Sequence, residues 1–110
     1  SEEEWLLSLK GEQGIQGDAF KYEDFTVKLA DEAFLVRPIR RLFNADRSER
    51  KEQFWRQISY MYFMVSPASS YSYILDEEER AGAIIQQEGL PKDFKPTFTV
   101  DKLKEIEDIL

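Results

Sequence analysis

Residues 58–65, ISYMYFMV, constrain this chain more than any other segment. They close a stretch in which Phe54, Ile58, Met61 and Val65 follow the i, i+4, i+7, i+11 spacing of a buried helical face. Ser59 is the only small polar residue in those eight, so apolar and aromatic groups surround the whole circumference. A helix apolar all round must be covered all round. A chain of 110 residues has little spare protein for that task. Two readings therefore stand: a central helix within a small bundle, or a helix with one flank given to a protein interface.

The length suits a single domain with one modest core. Two Trp, eight Phe and five Tyr supply large packing units for it. No apolar run approaches the about 18 residues a membrane span needs, and no charged-then-apolar leader opens the chain. It begins at Ser1 rather than Met, as a trimmed or partial piece of a longer chain would.

Cysteine and histidine are both missing. Disulfides, thiol nucleophiles and Cys-based zinc sites are thereby closed, as are Ser-His and Cys-His pairs. The formal net charge of −7 disfavours general nucleic-acid binding.

The chain divides into an N-terminal arm with a Gly-rich linker, 1–18, and a helical domain, 19–110. SEEEWLLSLK reads as a short helix: Ser1 and Glu4 have capping-box spacing, and Glu2–Glu4 suit the positive end of the dipole. Trp5, Leu6 and Leu9 fall on one side of it. So short a helix is marginal alone and must dock on this chain or a neighbour. Gly11, Gly14 and Gly17 repeat at the collagen triplet period. Three triplets without Pro hold no triple helix, and a flexible linker is the plainer reading.

FKYEDF, residues 20–25, reads either as an extended segment pinning aromatics onto the domain or as the first turn of a helix. Residues 26–36 are ambiguous. Pro38 suits a helix start, with Ile39, Leu42 and Phe43 as its stripe. Asp46 with Glu49 then predicts a long helix from Arg47 to about Val65. Ser66 and Pro67 end it, and a loop rich in Ser and Tyr follows. Asp76 caps a helix running to Glu88, with Gly89 and Pro91 as stop signals. Ala81, Ile84 and Ile85 form its apolar face, and Gly82 suggests close approach of another element. An extended connector, PKDFKP, leads to a last helix from Thr99 or Asp101, with Val100, Leu103, Ile106 and Leu110 on one face. The fold expected is mainly α, a small helical bundle behind a helical arm.

Two kinds of contact residue stand out. Arg37, Arg40 and Arg41 are the one basic concentration: either an anion or acidic-partner contact, or ordinary ion pairing with the excess carboxylates. Trp5, Leu6, Leu9, Tyr60, Tyr62, Phe63, Tyr71 and Tyr73 are the expected protein interface, since Tyr and Trp combine area with a polar tip. The acidic run 76–79 is explained by capping, without the alternating ligands and turn glycine of a calcium loop. No catalytic constellation, cofactor loop or metal set is legible.

The words SEEEWLLSLKGEQGIQGDAFKYEDFT resemble junctions around collagen-like stretches in virion proteins of tailed bacteriophages, those infecting gut Bacteroidales above all. Residues 42–90 resemble a module in structural proteins of crAss-like phages, on the words LFNADRSERKEQF, YMYFMVSPASSYSYI and DEEERAGAIIQQEGLP. The single short Gly-x-x run departs from the collagen-like pattern. The resemblance implies a virion component of the head–tail connection or tail, assembled in the host cytoplasm. It would be homo-oligomeric or present in many symmetry-related copies, bound to other virion proteins, with no membrane and no cofactor. A different reading is an acidic inhibitor module whose surface mimics nucleic acid. A carboxylate-based hydrolase ranks last.

Overall fold

Alternating aromatic and polar residues favour a pleated strand, and residues 20–29 form a hairpin. The computed structural model describes residues 20–109, with side chains described except at 21, 100 and 107–109. Strand β1 (Phe20–Glu23) pairs antiparallel with β2 (Thr26–Leu29), placing Phe20 opposite Leu29 and Tyr22 opposite Val27. FKYEDF is therefore extended, not a helix start. Asp24 and Phe25 form the two-residue turn with φ of 52° and 61°, the positive values a type I′ hairpin demands.

A 3-10 turn (Asp31–Leu35) then leads into α1 (Arg37–Ala45). Pro38 occupies its first turn, where the missing N–H has no helical partner to lose. The next helix, α2, spans Glu52–Val65. It begins five residues later than Asp46 and Glu49 suggest, and the reason lies in where the Asp46 carboxylate turns. Ser48 donates to Asp46 Oδ1 through both its N–H (2.8 Å) and its hydroxyl (2.6 Å), which folds residues 46–50 into a corner. Asp46 Oδ2 accepts from the N–H of Phe54 at 2.7 Å, the third residue of α2. The residue does cap a helix, but from eight positions upstream.

Helices α3 (Glu77–Gln87) and α4 (Val100–Ile109) complete the fold. Asp76 accepts from the Glu79 N–H at 2.8 Å, the expected cap. At the other end Gly89 has φ of 68° and the Leu90 N–H reaches Ile85 O at 3.0 Å, a Schellman closure. Thr99 caps α4, its hydroxyl accepting from the Lys102 N–H, and Leu103 and Ile106 are buried. Gly82 corrects an expectation. A methyl group added there meets open space, so nothing packs closely on it.

The problem posed by α2 is solved inside the chain. Phe54, at its first turn, joins Phe34, Phe43 and Trp55 in one ring cluster with centroids 5.0–5.9 Å apart. Tyr62 and Phe63, at its last turn, meet Phe20 and Tyr22 of the hairpin, and Phe63 also meets Tyr71 edge-on at 5.3 Å. Tyr60 packs on Phe94 of the connector at 5.3 Å. Gln57 fastens that connector, donating to Lys95 O and accepting from the Thr97 N–H, each at 2.9 Å. The hairpin, α3 and α4 all pack on α2. Among the described residues the fold is mainly helical: four helices and one two-stranded sheet around a central α2. The arm and linker, 1–18, lie outside the described residues.

Candidate interaction surface

Burial of α2 relocates the expected contact residues. Tyr60, Tyr62, Phe63 and Tyr71 are all buried in the chain's own core. In this fold they offer no surface to a partner, and their assignment to an interface is corrected: the hairpin, the Ser/Tyr loop and the connector cover them. Of the expected set, Tyr73 alone among the described residues stands at the surface, 75% exposed. Trp5, Leu6 and Leu9 lie outside the described residues.

A groove of about 360 Å³ runs between the hairpin turn, one stripe of α2 and the end of α3. Glu52, Trp55, Arg56, Ser59 and Phe63 line its floor, and their i, i+3, i+4, i+7, i+11 spacing shows why they share a face. Ser59 makes the notch: a hydroxymethyl group among large side chains leaves room that a Phe or Met would fill. Phe25 and Val27 form one wall, Glu88 and Leu90 the other.

The groove's charges are unequally satisfied. Tyr71 donates its hydroxyl to Glu88 Oε2 at 2.5 Å. Burial first, then this bond and the Glu88 charge, push the Tyr71 phenol well above its ordinary range, so it stays a donor. The Glu52 carboxyl accepts from the Arg50 N–H and is held below its ordinary value, first by hydrogen bonding with the Ser48 side chain. Arg56, exposed on the same floor, makes no hydrogen bond or ion pair among the described residues.

Phe25, on the groove rim, is 93% exposed. Phenylalanine rarely takes a positive φ, because its Cβ crowds the following carbonyl. The turn therefore holds a large apolar side chain in solvent in a conformation that most residues avoid.

A second exposed apolar pair lies in the loop after α2: Tyr73 and, at 85% exposure, Leu75. Their backbone is fixed from within. Ser69 donates to Phe63 O and accepts from the Tyr71 N–H, while Arg80 of α3 donates to Ile74 O at 2.7 Å and Met64 O at 2.9 Å. That guanidinium also satisfies a carbonyl at the end of α2, where helices lack partners.

Arg37, Arg40 and Arg41 all lie on α1, with Arg40 and Arg41 exposed. Both already engage other groups, and none of the three lines the groove. Phe25, Arg56 and Leu75 were not singled out from sequence. Ser59 was the available signal, as the one small residue on an otherwise large-residue helix.

Among the described residues, no three His, Cys, Asp or Glu side chains cluster as a metal ion requires, and no helix is long and apolar enough to cross a membrane. In comparisons with known proteins the chain matches no family model, no curated protein and no solved structure.

Proposed function

We propose that this chain is a non-enzymatic structural subunit of a tailed-phage virion, in the head–tail connector or tail region, acting through contacts with other virion proteins. The observation that carries the contact part of this reading is the set of large apolar side chains held in solvent by ordered turns: Phe25, Tyr73 and Leu75. Exposed apolar area gains free energy when another surface covers it. The virion part is supported by the resemblance of residues 1–26 and 42–90 to virion proteins. The contact surface moves from the aromatics of α2 to the hairpin turn and the loop after α2.

The test is mass spectrometry of gradient-purified particles from a host producing the phage that encodes this chain. The chain is expected at a fixed ratio to the other structural proteins. A Tyr73→Ser, Leu75→Ser double variant is expected to lower its incorporation several-fold while leaving its fold intact. Absence of the chain from purified particles overturns the reading.

A further inference from the structure

We infer that residues 91–98 are a displaceable strap: they lift from α2 as one unit while the rest of the fold stays closed, and so uncover Tyr60. The inference rests on the fold alone and not on the virion reading.

The strap, PKDFKPTF, puts little of itself into the core. Pro91, Phe94 and Phe98 are half-buried, and the other five residues are exposed. Pro91 and Pro96 carry no N–H to donate. The N–H groups of Lys92, Asp93, Lys95 and Phe98 make no hydrogen bond among the described residues. That of Phe94 turns back to Pro91 O at 2.9 Å, within the strap itself.

What ties the strap to α2 by hydrogen bonds is one side chain. Gln57 donates to Lys95 O and accepts from the Thr97 N–H, and both bonds are open to solvent. The Phe94 and Phe98 rings, packed on the core from its edge, supply the rest of the hold. Few buried contacts and exposed hydrogen bonds mark a segment that opens well below the free energy of global unfolding.

The flanking helices do not depend on the strap. The end of α3 is closed by the Leu90 N–H on Ile85 O, and Thr99 caps α4 through the Lys102 N–H. Helix α4 packs on α2 and buries Leu103 and Ile106. The strap thus runs between two fixed ends, and lifting it breaks no helix. Beneath it lies Tyr60, buried, with its ring 5.3 Å from that of Phe94. The Tyr60 hydroxyl makes no hydrogen bond among the described residues, so opening costs the apolar cover of the ring and no polar contact of its tip. Helix α2 therefore carries a concealed aromatic flank that a minor open state presents.

Native-state hydrogen exchange of the full chain, followed by NMR at rising sub-denaturing guanidinium, tests the strap. The Phe94 and Thr97 amides are expected to be protected, yet about a hundredfold less than those of Ile58 and Met61 in α2. They should respond little to guanidinium, because their opening exposes little surface. Gln57→Ala is expected to speed exchange at both amides about tenfold, the effect of losing two exposed hydrogen bonds. Thr97 loses its own acceptor in that variant. Phe94 does not, since Pro91 O remains, so its acceleration reports detachment of the whole strap. Tetranitromethane then reads the uncovering: nitration of Tyr60 should also rise about tenfold, while exposed Tyr73 reacts as in wild type. Circular dichroism of the variant should show unchanged helix content. Phe94 and Thr97 amides as protected and as guanidinium-sensitive as that of Ile58 overturn the inference, because the strap then leaves only when the protein unfolds. Acceleration at Thr97 alone overturns it too, as does Tyr60 nitration that Gln57→Ala leaves unchanged.

Discussion

Among the described residues, two turns place non-glycine residues in the left-handed region, and their side chains fare in opposite ways. At the corner between α1 and α2, Lys51 has φ of 58°. Its ammonium donates to Phe43 O at 2.9 Å and Asp46 O at 2.6 Å, and lies 4.5 Å from the centre of the Phe43 ring. The charge stands at the carbonyl end of α1, where a cation is favoured, and the ring adds a cation–π contact. Five residues earlier, Asp46 caps α2. The conformational cost at Lys51 is thus offset by contacts of the same residue. At the hairpin turn, Phe25 has φ of 61° and makes no comparable contact, with its ring in solvent. The strain at Lys51 is offset by the contacts of its own side chain; that at Phe25 is imposed by the two-residue turn that lets β1 pair with β2.

The largest way to break this comparison is to remove what the corner is built on. Phe54 is fully buried, its N–H bound by Asp46 and its ring against Phe34, Phe43 and Trp55. Phe54→Ala is expected to destabilise the protein by about 3–5 kcal/mol in denaturant unfolding. A loss under about 1 kcal/mol would mean that the corner depends on its polar contacts alone.

The polar half comes next. Asp46→Ala removes three accepted hydrogen bonds at once and should lower Tm by about 5–10 °C. Burial acts to raise the Asp46 pKa, but the hydrogen bonds of Ser48 and Phe54 and the Lys51 charge outweigh it and hold it below its ordinary value of 3.8. A carboxyl with a lowered folded-state pKa contributes stability that is complete above the unfolded value and is lost as pH falls through the folded one. Wild-type protein should therefore lose stability below about pH 4, and Asp46→Asn, which cannot ionise, should show a shallower decline in that window. Glu52 shifts in the same direction, so part of the slope remains. Parallel acid-unfolding curves for wild type and Asp46→Asn would remove Asp46 from the account.

How much of this was legible beforehand differs between the two turns. Caps and stops that act over three or four residues were readable: Asp76, Gly89, Thr99 and Pro38 stand where their local chemistry places them. The corner was half readable, because Asp46 announces a cap but not that its carboxylate reaches Phe54, eight residues on. The coverage of Tyr60, Tyr62 and Phe63 was not readable, since it depends on a hairpin and a connector returning from 30 or more residues away. Sequence left α2 poised between core and interface, and long-range packing decided for core. The hairpin turn escaped notice for another reason: Asp-Phe lacks the Gly that usually marks such a turn, so the residue exposed there carried no turn signal.

The smallest expected effect is the most direct comparison of the two turns, because one substitution serves both. Asparagine tolerates the left-handed region better than other non-glycine residues. At Phe25 it relieves strain and withdraws an exposed ring, with no ring contact among the described residues to lose. Phe25→Asn is expected to raise Tm by about 3–6 °C. At Lys51 the same replacement relieves similar strain but abandons both carbonyls and the Phe43 ring. Lys51→Asn is therefore expected to lower Tm by a few degrees. Opposite signs from one residue change at two equivalent backbone positions would establish that the strain at Lys51 serves folding, while that at Phe25 is retained at folding's expense. If both variants gain stability, the Lys51 contacts are too weak to offset their own strain. If both lose it, the Phe25 ring has a partner within its own chain.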